Sequence, residues 1–401
     1  MIQNMLYLRL YRIFLSAYFL TIPITASAAK PLNGLEDFCA FFTVPELSRR
    51  QTVPNMLKIY QNELNTGKRM RPVEIPITFE GVPEGKDIYN PAGFISTKLN
   101  GKPIKLFAAR VEGTASETDM FVGFFSVNEG KAFSLLETKI IFGPGHLPFL
   151  ALQDPFYTTI QTENGKELLF GGVSVFEKFV NGNREIHYHT VFYRDFGRGV
   201  DHLKKVIDGP ARHKDIRIQQ KKDGSYVIFT RPQNGNPLLG GLGKVGVTFA
   251  NRLEDITPEL IQNAPILKGQ LFDDEWSGVN ATYQLKNGLI GLLGHVAMKD
   301  AEGNRHYYAV AWAHDPTTGW YSEMEIIFER RDLPNGIERG AKFESLKDII
   351  FSGQLIRHGN GTATLVGGGG DIEVFQALIT DPLAKFEKMN FAQFRKIFLN
   401  R

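Results

Sequence analysis

Short apolar or alternating runs recur along the chain, and each is preceded by the same punctuation. Asn100-Gly101, Asn164-Gly165, Asp223-Gly224, Asn287-Gly288 and Asn360-Gly361 are followed by KPIKLFAARV, KELLFGGVSVF, SYVIFTRP, LIGLLGHVA and TATLVGGGG. Strand-like runs such as DPFYTTIQ, KDIRIQQ and NATYQL come before them. Two such runs across Asn-Gly or Asp-Gly predict a hairpin, with a type I′ turn that takes positive φ at both central residues. The turn glycines fall at 101, 165, 224, 288 and 361, so successive separations are 64, 59, 64 and 73 residues. A hairpin needs only about 20 residues, so each period holds four strands and their loops. Four-stranded units repeated around an axis predict an all-β fold, a five-bladed β-propeller. Helical periodicity is expected only at 381–401, as a short C-terminal helical or closing segment.

The first thirty residues break this pattern. Arg9 and Arg12 precede an apolar run from Ile13 to Ile24, and Ala26-Ser27-Ala28 supplies a small-residue cleavage site. That order predicts a signal peptide over 1–28, an exported (periplasmic or secreted) protein, and one propeller domain over 29–401. The apolar run is too short to span a bilayer, which takes about 20 helical residues.

Composition narrows the functional classes. With 46 Lys+Arg against 43 Asp+Glu the net charge is +3, and no dense basic run signals nucleic acid. A single cysteine, Cys39, excludes an internal disulfide and a Cys-based zinc site. Gly241-Leu242-Gly243-Lys244-Val245-Gly246 fits a dinucleotide fingerprint by letters, but a strand-like VTFANRL follows it where the motif needs a helix. His187-Tyr188-His189 and Asp273-Asp274-Glu275 read as structural rather than metal-binding. No cofactor is expected.

In a propeller the innermost strands surround a central funnel. The runs before the turns place Asn90, Asp154, Lys214, Asp215, Arg217 and Trp276 there. The strands after the turns add Arg110, Glu112, Arg231, His295 and Asp371. A few carboxylates facing several cations and a histidine suit an anionic co-substrate beside sugar hydroxyls.

On these residues the chain resembles the Leishmania-type mannosyltransferase/phosphorylases of glycosyltransferase family 108 (the MTP-1 family). It is more distantly similar to the β-mannoside phosphorylases of glycoside hydrolase family 130. GPARHKDIRIQQKKDGSYVIFTRP (209–232) carries most of the likeness, with support from ARVEGTASETD (109–119), LQDPF (152–156), DDEWSGVNA (273–281) and GGGGD (367–371). The resemblance implies a five-bladed propeller and an inverting β-mannoside phosphorylase or mannosyltransferase. Such an enzyme uses inorganic phosphate as co-substrate, releases mannose-1-phosphate from a mannose-containing oligosaccharide, or runs in reverse. It implies Asp154 as proton donor, Lys214, Arg231 and His295 as phosphate ligands, and Asn90, Arg110 and Asp371 around the mannose. Gln153, Phe156, Thr230 and Val296 depart from the family pattern. An inverting hydrolase and a non-catalytic sugar-binding propeller are the alternatives: the first needs a second carboxylate to activate water, the second needs no phosphate cradle.

Overall fold

Thr52 opens the first element of the computed structural model: its hydroxyl accepts from the Asn55 amide at 3.2 Å and caps helix α1, Val53–Asn65. Pro54 in the first turn is compatible with a helix start, and Val53, Met56, Tyr60 and Leu64 make one buried stripe. This helix was not among the expected elements, although its cap and its spacing are written in the sequence. Residues 51–114, 116, 119–127, 132–136, 151–233, 242–267 and 269–389 are described here. The expected leader over 1–28 lies outside them.

The rest is mostly β. Strands β1 (Val73–Ile75) and β2 (Phe79–Glu80) lead into a meander of β3 (Lys86–Leu99), β4 (Lys102–Gly113), β5 (Met120–Ser126) and β6 (Phe133–Leu135). A second meander comprises β7 (Ala151–Thr162), β8 (Gly165–Val180), β9 (Asn183–Arg194) and β10 (Lys204–Asp208). A third has three strands, β11 (His213–Gln220), β12 (Tyr226–Pro232) and β13 (Gly246–Ala250), followed by the short helix α2, Pro258–Gln262. A fourth holds β14 (Trp276–Gln284), β15 (Ile290–Lys299), β16 (Arg305–His314) and β17 (Glu325–Phe328). The last holds β18 (Asp348–Arg357), β19 (Thr362–Gly369) and β20 (Glu373–Thr380), and β1 returns from the N-terminal side to pair with β20. At the C-terminal side only a four-residue helix, α3 (Ala384–Glu387), falls within the described part of 381–401.

Hydrogen bonding groups these strands into four sheets, not five. The fourth and fifth meanders share one eight-stranded sheet through a parallel contact at His306↔Asp348 and Tyr307↔Ile349. The first strands of the meanders pack side by side: β3 on β7, β7 on β11, β11 on β14, β14 on β18, and β18 back on β3. Apolar clusters fill the wedges between successive meanders, for example Leu106, Phe124, Leu168 and Phe170 between the first two. Helix α1 joins the cluster formed by Val247, Leu292, Val310 and Trp312.

The five turns singled out above each connect the first and second strands of a meander, as the pattern predicts; a further Asn-Gly pair outside that count, Asn181-Gly182, joins β8 to β9 with both residues at positive φ, 51° and 80°. The geometry of the five differs from expectation at four of them. Among them only Asn100-Gly101 has both central residues at positive φ, 51° and 74°; in the other four only the glycine does, at 104°, 88°, 90° and 89°. A tight turn closed by a left-handed glycine satisfies the same strand twist with one special residue.

Every first strand also carries an irregularity that no turn motif announces. Register shifts fall at Tyr89/Gly93, Gln153/Phe156, Lys214/Arg217, Val279/Ala281 and Ser352/Gln354. In three of them an Asn or Asp takes the left-handed region: Asn90 at 44°, Asp154 at 49° and Asp215 at 50°. These are the residue types that tolerate such φ values without glycine. Bulges re-aim side chains out of the strand alternation.

Candidate functional site

Asp154 lies on the bulge of β7. Its Oδ1 accepts from Asn90 Nδ2 at 2.9 Å and from the Arg110 guanidinium at 3.3 Å. Arg110, on β4 directly across from Tyr89, also donates to Glu112 at 2.5 Å. Glu112 is fully buried and takes Lys342 and the Tyr89 hydroxyl as further partners. Burial opposes the charge on Arg110, but Asp154, Tyr89 and Glu112 outweigh it and raise its pKa. Asp154 is thereby held by a chain of charge running from Lys342 through Glu112 and Arg110.

Across the same cavity stands the β11–β12 pair, with Lys214 opposite Arg231 in register. Arg231 donates to Asp215 at 2.6 Å. Burial would push the Asp215 carboxyl up, but Arg231 outweighs it and holds the group down at about 2. Lys214 Nζ stands 5.1 Å from the centre of the Tyr188 ring and has no hydrogen-bond partner among the described residues. Burial lowers its pKa, and Asp154 opposes that shift. His295, on β15 opposite Gly278, bonds Asn280 Oδ1 through Nδ1 at 2.9 Å. Its Nε2 is buried without a partner, 3.9 Å from Asp215. Burial first, then Arg231, lowers its pKa to about 3, so the ring is neutral at neutral pH. With Nδ1–H donated to Asn280, Nε2 presents a lone pair, which suits the P–OH of a hydrogenphosphate.

Asn90, Arg110, Asp154, Lys214, Asp215, Arg231, His295 and Asp371 all line one cavity of about 310 Å³. Three expected residues do not. Glu112 sits behind Arg110, as described. Arg217 lies with its guanidinium 3.7 Å from the Phe156 ring centre and donates to the Asn280 carbonyl at 2.6 Å. Trp276 is buried and donates to the Tyr307 hydroxyl at 3.0 Å. The cavity adds residues that the sequence did not single out: Tyr307, whose ring lies 5.4 Å from that of His295, and Lys342 and Arg305. Tyr307 belongs to an apolar run that reads only as a strand, and Lys342 to a loop outside the repeat. A larger recess of about 500 Å³ between Ser96–Lys105 and Thr159–Leu168 gathers none of the expected residues.

Glycines make the cation cluster possible. A Cβ on Gly278 would stand 2.4 Å from Asp215 Oδ2 and 2.8 Å from the His295 ring. One on Gly243, at φ +127°, would stand 2.4 Å from Arg231 Nε. Gly243 of the apparent dinucleotide fingerprint therefore serves close packing on Arg231, and Lys244 turns to Asp273 at 3.1 Å. Gly278→Ala is expected to lower folding stability by about 1–3 kcal/mol, the cost of overpacking a filled interior. Denaturant melts of the variant against the parent check it.

Asp371, at the β19–β20 turn with φ 58°, is pushed up to about 6, chiefly by burial, with Arg110 opposing and Asp154 reinforcing. Between about pH 4 and 6 the folded protein keeps a proton that the unfolded chain releases. The group's stabilising contribution is thus complete below about pH 4 and lost as the pH rises through 6. Asp371→Asn should flatten that part of the stability–pH curve and remove a penalty on the order of 3 kcal/mol at pH 7. Denaturant melts of parent and variant at pH 4 and pH 7 measure it.

Residues 64–385 match the model of the family described as protein of unknown function (DUF1861). The chain belongs to DUF1861. No curated protein matches it. Among solved structures, this DUF1861 chain is similar to MPT-4, a mannose phosphorylase from Leishmania mexicana solved with a phosphate ion. The identity is 25% over 83% of this chain and 95% of that one, with a TM-score of 0.64. It is similar in the same way to MPT-1, a GDP-Man-dependent mannosyltransferase from Leishmania mexicana, at 26% identity over 82% and 95%, TM-score 0.64. The β-1,2-mannobiose phosphorylase of Listeria innocua shares the fold, at 14% identity over 79% and 99%, TM-score 0.51. The resemblance read from the sequence is thus matched in three dimensions.

Proposed function

We propose that this protein is an inverting β-mannoside phosphorylase/mannosyltransferase acting on β-1,2-linked mannosides. It uses inorganic phosphate to release mannose-1-phosphate, or runs in reverse to extend the chain. The observation that carries this reading is the cavity itself: one carboxylate, Asp154, held by Asn90 and Arg110, faces Lys214, Arg231 and His295. Inverting phosphorolysis needs one acid to protonate the leaving oxygen and a nucleophile on the opposite face of the sugar. Phosphate is already an anion, so clustered cations position it and no second carboxylate is needed as base. Asp154 is the donor, Lys214, Arg231 and His295 hold phosphate, and Asn90, Arg110 and Asp371 hold the mannose. Asp215 and Glu112 fix Arg231 and Arg110 from behind. The mannose phosphorylase and mannosyltransferase likenesses support the substrate class.

The five meanders form five blades of one propeller, supported by their first strands packing in a ring. Residues 1–28 act as an export leader. Export tilts the reaction towards mannoside breakdown, since phosphate is met outside the cytoplasm and nucleotide sugars are not expected there. Incubating the purified protein with β-1,2-mannobiose, with and without phosphate, tests the function. Release of mannose-1-phosphate only when phosphate is present is the expected result. Free mannose formed equally without phosphate assigns a hydrolase, with Asp371, the cavity carboxyl not tied to Arg231 or Arg110, as the group that activates water. No cleavage under either condition removes the enzymatic reading.

A further inference from the structure

The β8–β9 hairpin outruns its neighbours. Strand β7 follows β8 only as far as Ala151↔Val175, and β10 follows β9 only to Asp208↔Val191. Beyond these, Phe176↔His187 through Val180↔Asn183 pair with each other, and no other described strand joins them. Phe179 is 72% exposed and Ile186 55% exposed on this ribbon, and Phe179 is the most exposed large apolar residue among those described. Two large apolar side chains on one face of a ribbon that no other described strand joins form a stripe that is a candidate contact surface.

The pairing shows which way the stripe faces. Directly opposed residues share a face, and faces alternate along a strand. Val175↔Tyr188, Glu177↔Ile186 and Phe179↔Arg184 therefore form one face. Phe176, packed against the His187 and His189 rings, lies on the other. On the first face Tyr188 lies beside Lys214 and donates to Gln233 at 3.3 Å, and both of those residues line the cavity. The stripe thus continues the cavity wall outwards. From Tyr188 to Arg184 it runs roughly 13 Å at ~3.3 Å per residue.

We propose that this face is an outer saccharide-binding surface, holding the sugar units of a mannoside beyond the reacting bond. The proposal rests on the mannoside reading of the cavity. A pyranose offers an apolar C–H face and a rim of hydroxyls. Tyr188 and Phe179 present flat rings and Ile186 a branched apolar side chain to the first, and the Glu177–Arg184 ion pair between them presents acceptors and donors to the second. Three apolar side chains interrupted by an ion pair make a narrow strip beside the ~800 Å² per partner of a stable protein interface, which favours a glycan over a second copy of the chain.

The test compares β-1,2-mannobiose with β-1,2-mannotetraose, by calorimetric binding and by phosphate-dependent cleavage. The parent should bind the tetraose more tightly than the disaccharide. The double variant Phe179→Ala/Ile186→Ala should lose about tenfold of that advantage and leave disaccharide kinetics unchanged, while Phe179→Trp keeps it. Thermal melts confirm that the variants fold. A parent without chain-length preference, or a double variant with the preference intact, overturns the proposal. So does a double variant that keeps the preference but converts a dimer into a monomer in sedimentation, which makes the stripe a self-association surface. A preference lost in the variant without any phosphate-dependent cleavage by the parent supports the surface and removes the phosphorylase reading. Cleavage with an insensitive preference does the reverse.

Discussion

Asp154→Asn should lower phosphate-dependent turnover of β-1,2-mannobiose by around 10²-fold or more, the scale of a positioned general acid. The bulge at Gln153/Phe156 aims this side chain into the cavity, and Asn90 and Arg110 both donate to its Oδ1. An amide oxygen in that place still accepts from both, so the side chain keeps its seat. What the variant lacks is a proton to give to the departing oxygen. Sugar affinity and the phosphate concentration for half-saturation should therefore change far less than the rate, the signature of an interaction made only in the transition state. Steady-state kinetics with phosphate and disaccharide varied in turn give both numbers. Wild-type turnover in the variant would move the acid elsewhere, and Asp371, held at about 6 in the same cavity, would be the next to replace.

The legible part of the fold is what needs a special residue. A left-handed glycine suits a tight reversal of two strands, but the letters also hold further Asn-Gly and Asp-Gly pairs, such as Asn181-Gly182 between β8 and β9, so it is the near-regular spacing that picks out the five first hairpins. The runs on either side then place Asp154, Lys214, Arg231 and His295 near one another. The bulges are not legible, because Asn-Pro, Asp-Pro and Lys-Asp occur equally in plain turns, and nothing local says that a strand continues past them. Helix α1 is legible in principle from Thr52, Pro54 and the Val53–Met56–Tyr60–Leu64 spacing, but one helix ahead of a β repeat falls outside the repeat that organises the reading.

The parts of the site that the sequence does not reveal lie one contact further out. Glu112 and Arg217 were expected to touch substrate because their strands do; instead Glu112, on the same strand face as Arg110, is buried behind it, and Arg217 is buried with its guanidinium on the Asn280 carbonyl. Lys342 reaches the cavity from a loop after β17 through a side-chain contact with Glu112, some 230 residues away in sequence. No spacing rule reports such a partner. Gly278 and Gly243 show the same limit: their letters fit many motifs, and only the Cβ that would collide with Asp215 or Arg231 says why they are glycine.

Lys214→Ala should act on phosphate rather than on chemistry. Its ammonium lines the cavity, stacked against Tyr188 and free of hydrogen bonds among the described residues, so its removal leaves no protein group stranded. Charge-assisted hydrogen bonds of this kind contribute about 1.5–3 kcal/mol, so half-saturation by phosphate should rise roughly 10- to 100-fold. Turnover at saturating phosphate should fall much less. Arg231→Ala should show the same loss together with a lower melting temperature, because Asp215 then keeps a buried charge without its 2.6 Å partner, a change that costs about 3–5 kcal/mol. Phosphate titrations and thermal melts on the two variants separate these effects. Asp154→Asn and Lys214→Ala then give opposite patterns, one with lost rate and phosphate still saturable, the other with rate recoverable at high phosphate. If neither cation variant changes the phosphate dependence, phosphate is not held by the β11–β12 pair; if the variants lose nothing and phosphate never stimulates the parent, a water nucleophile takes its place.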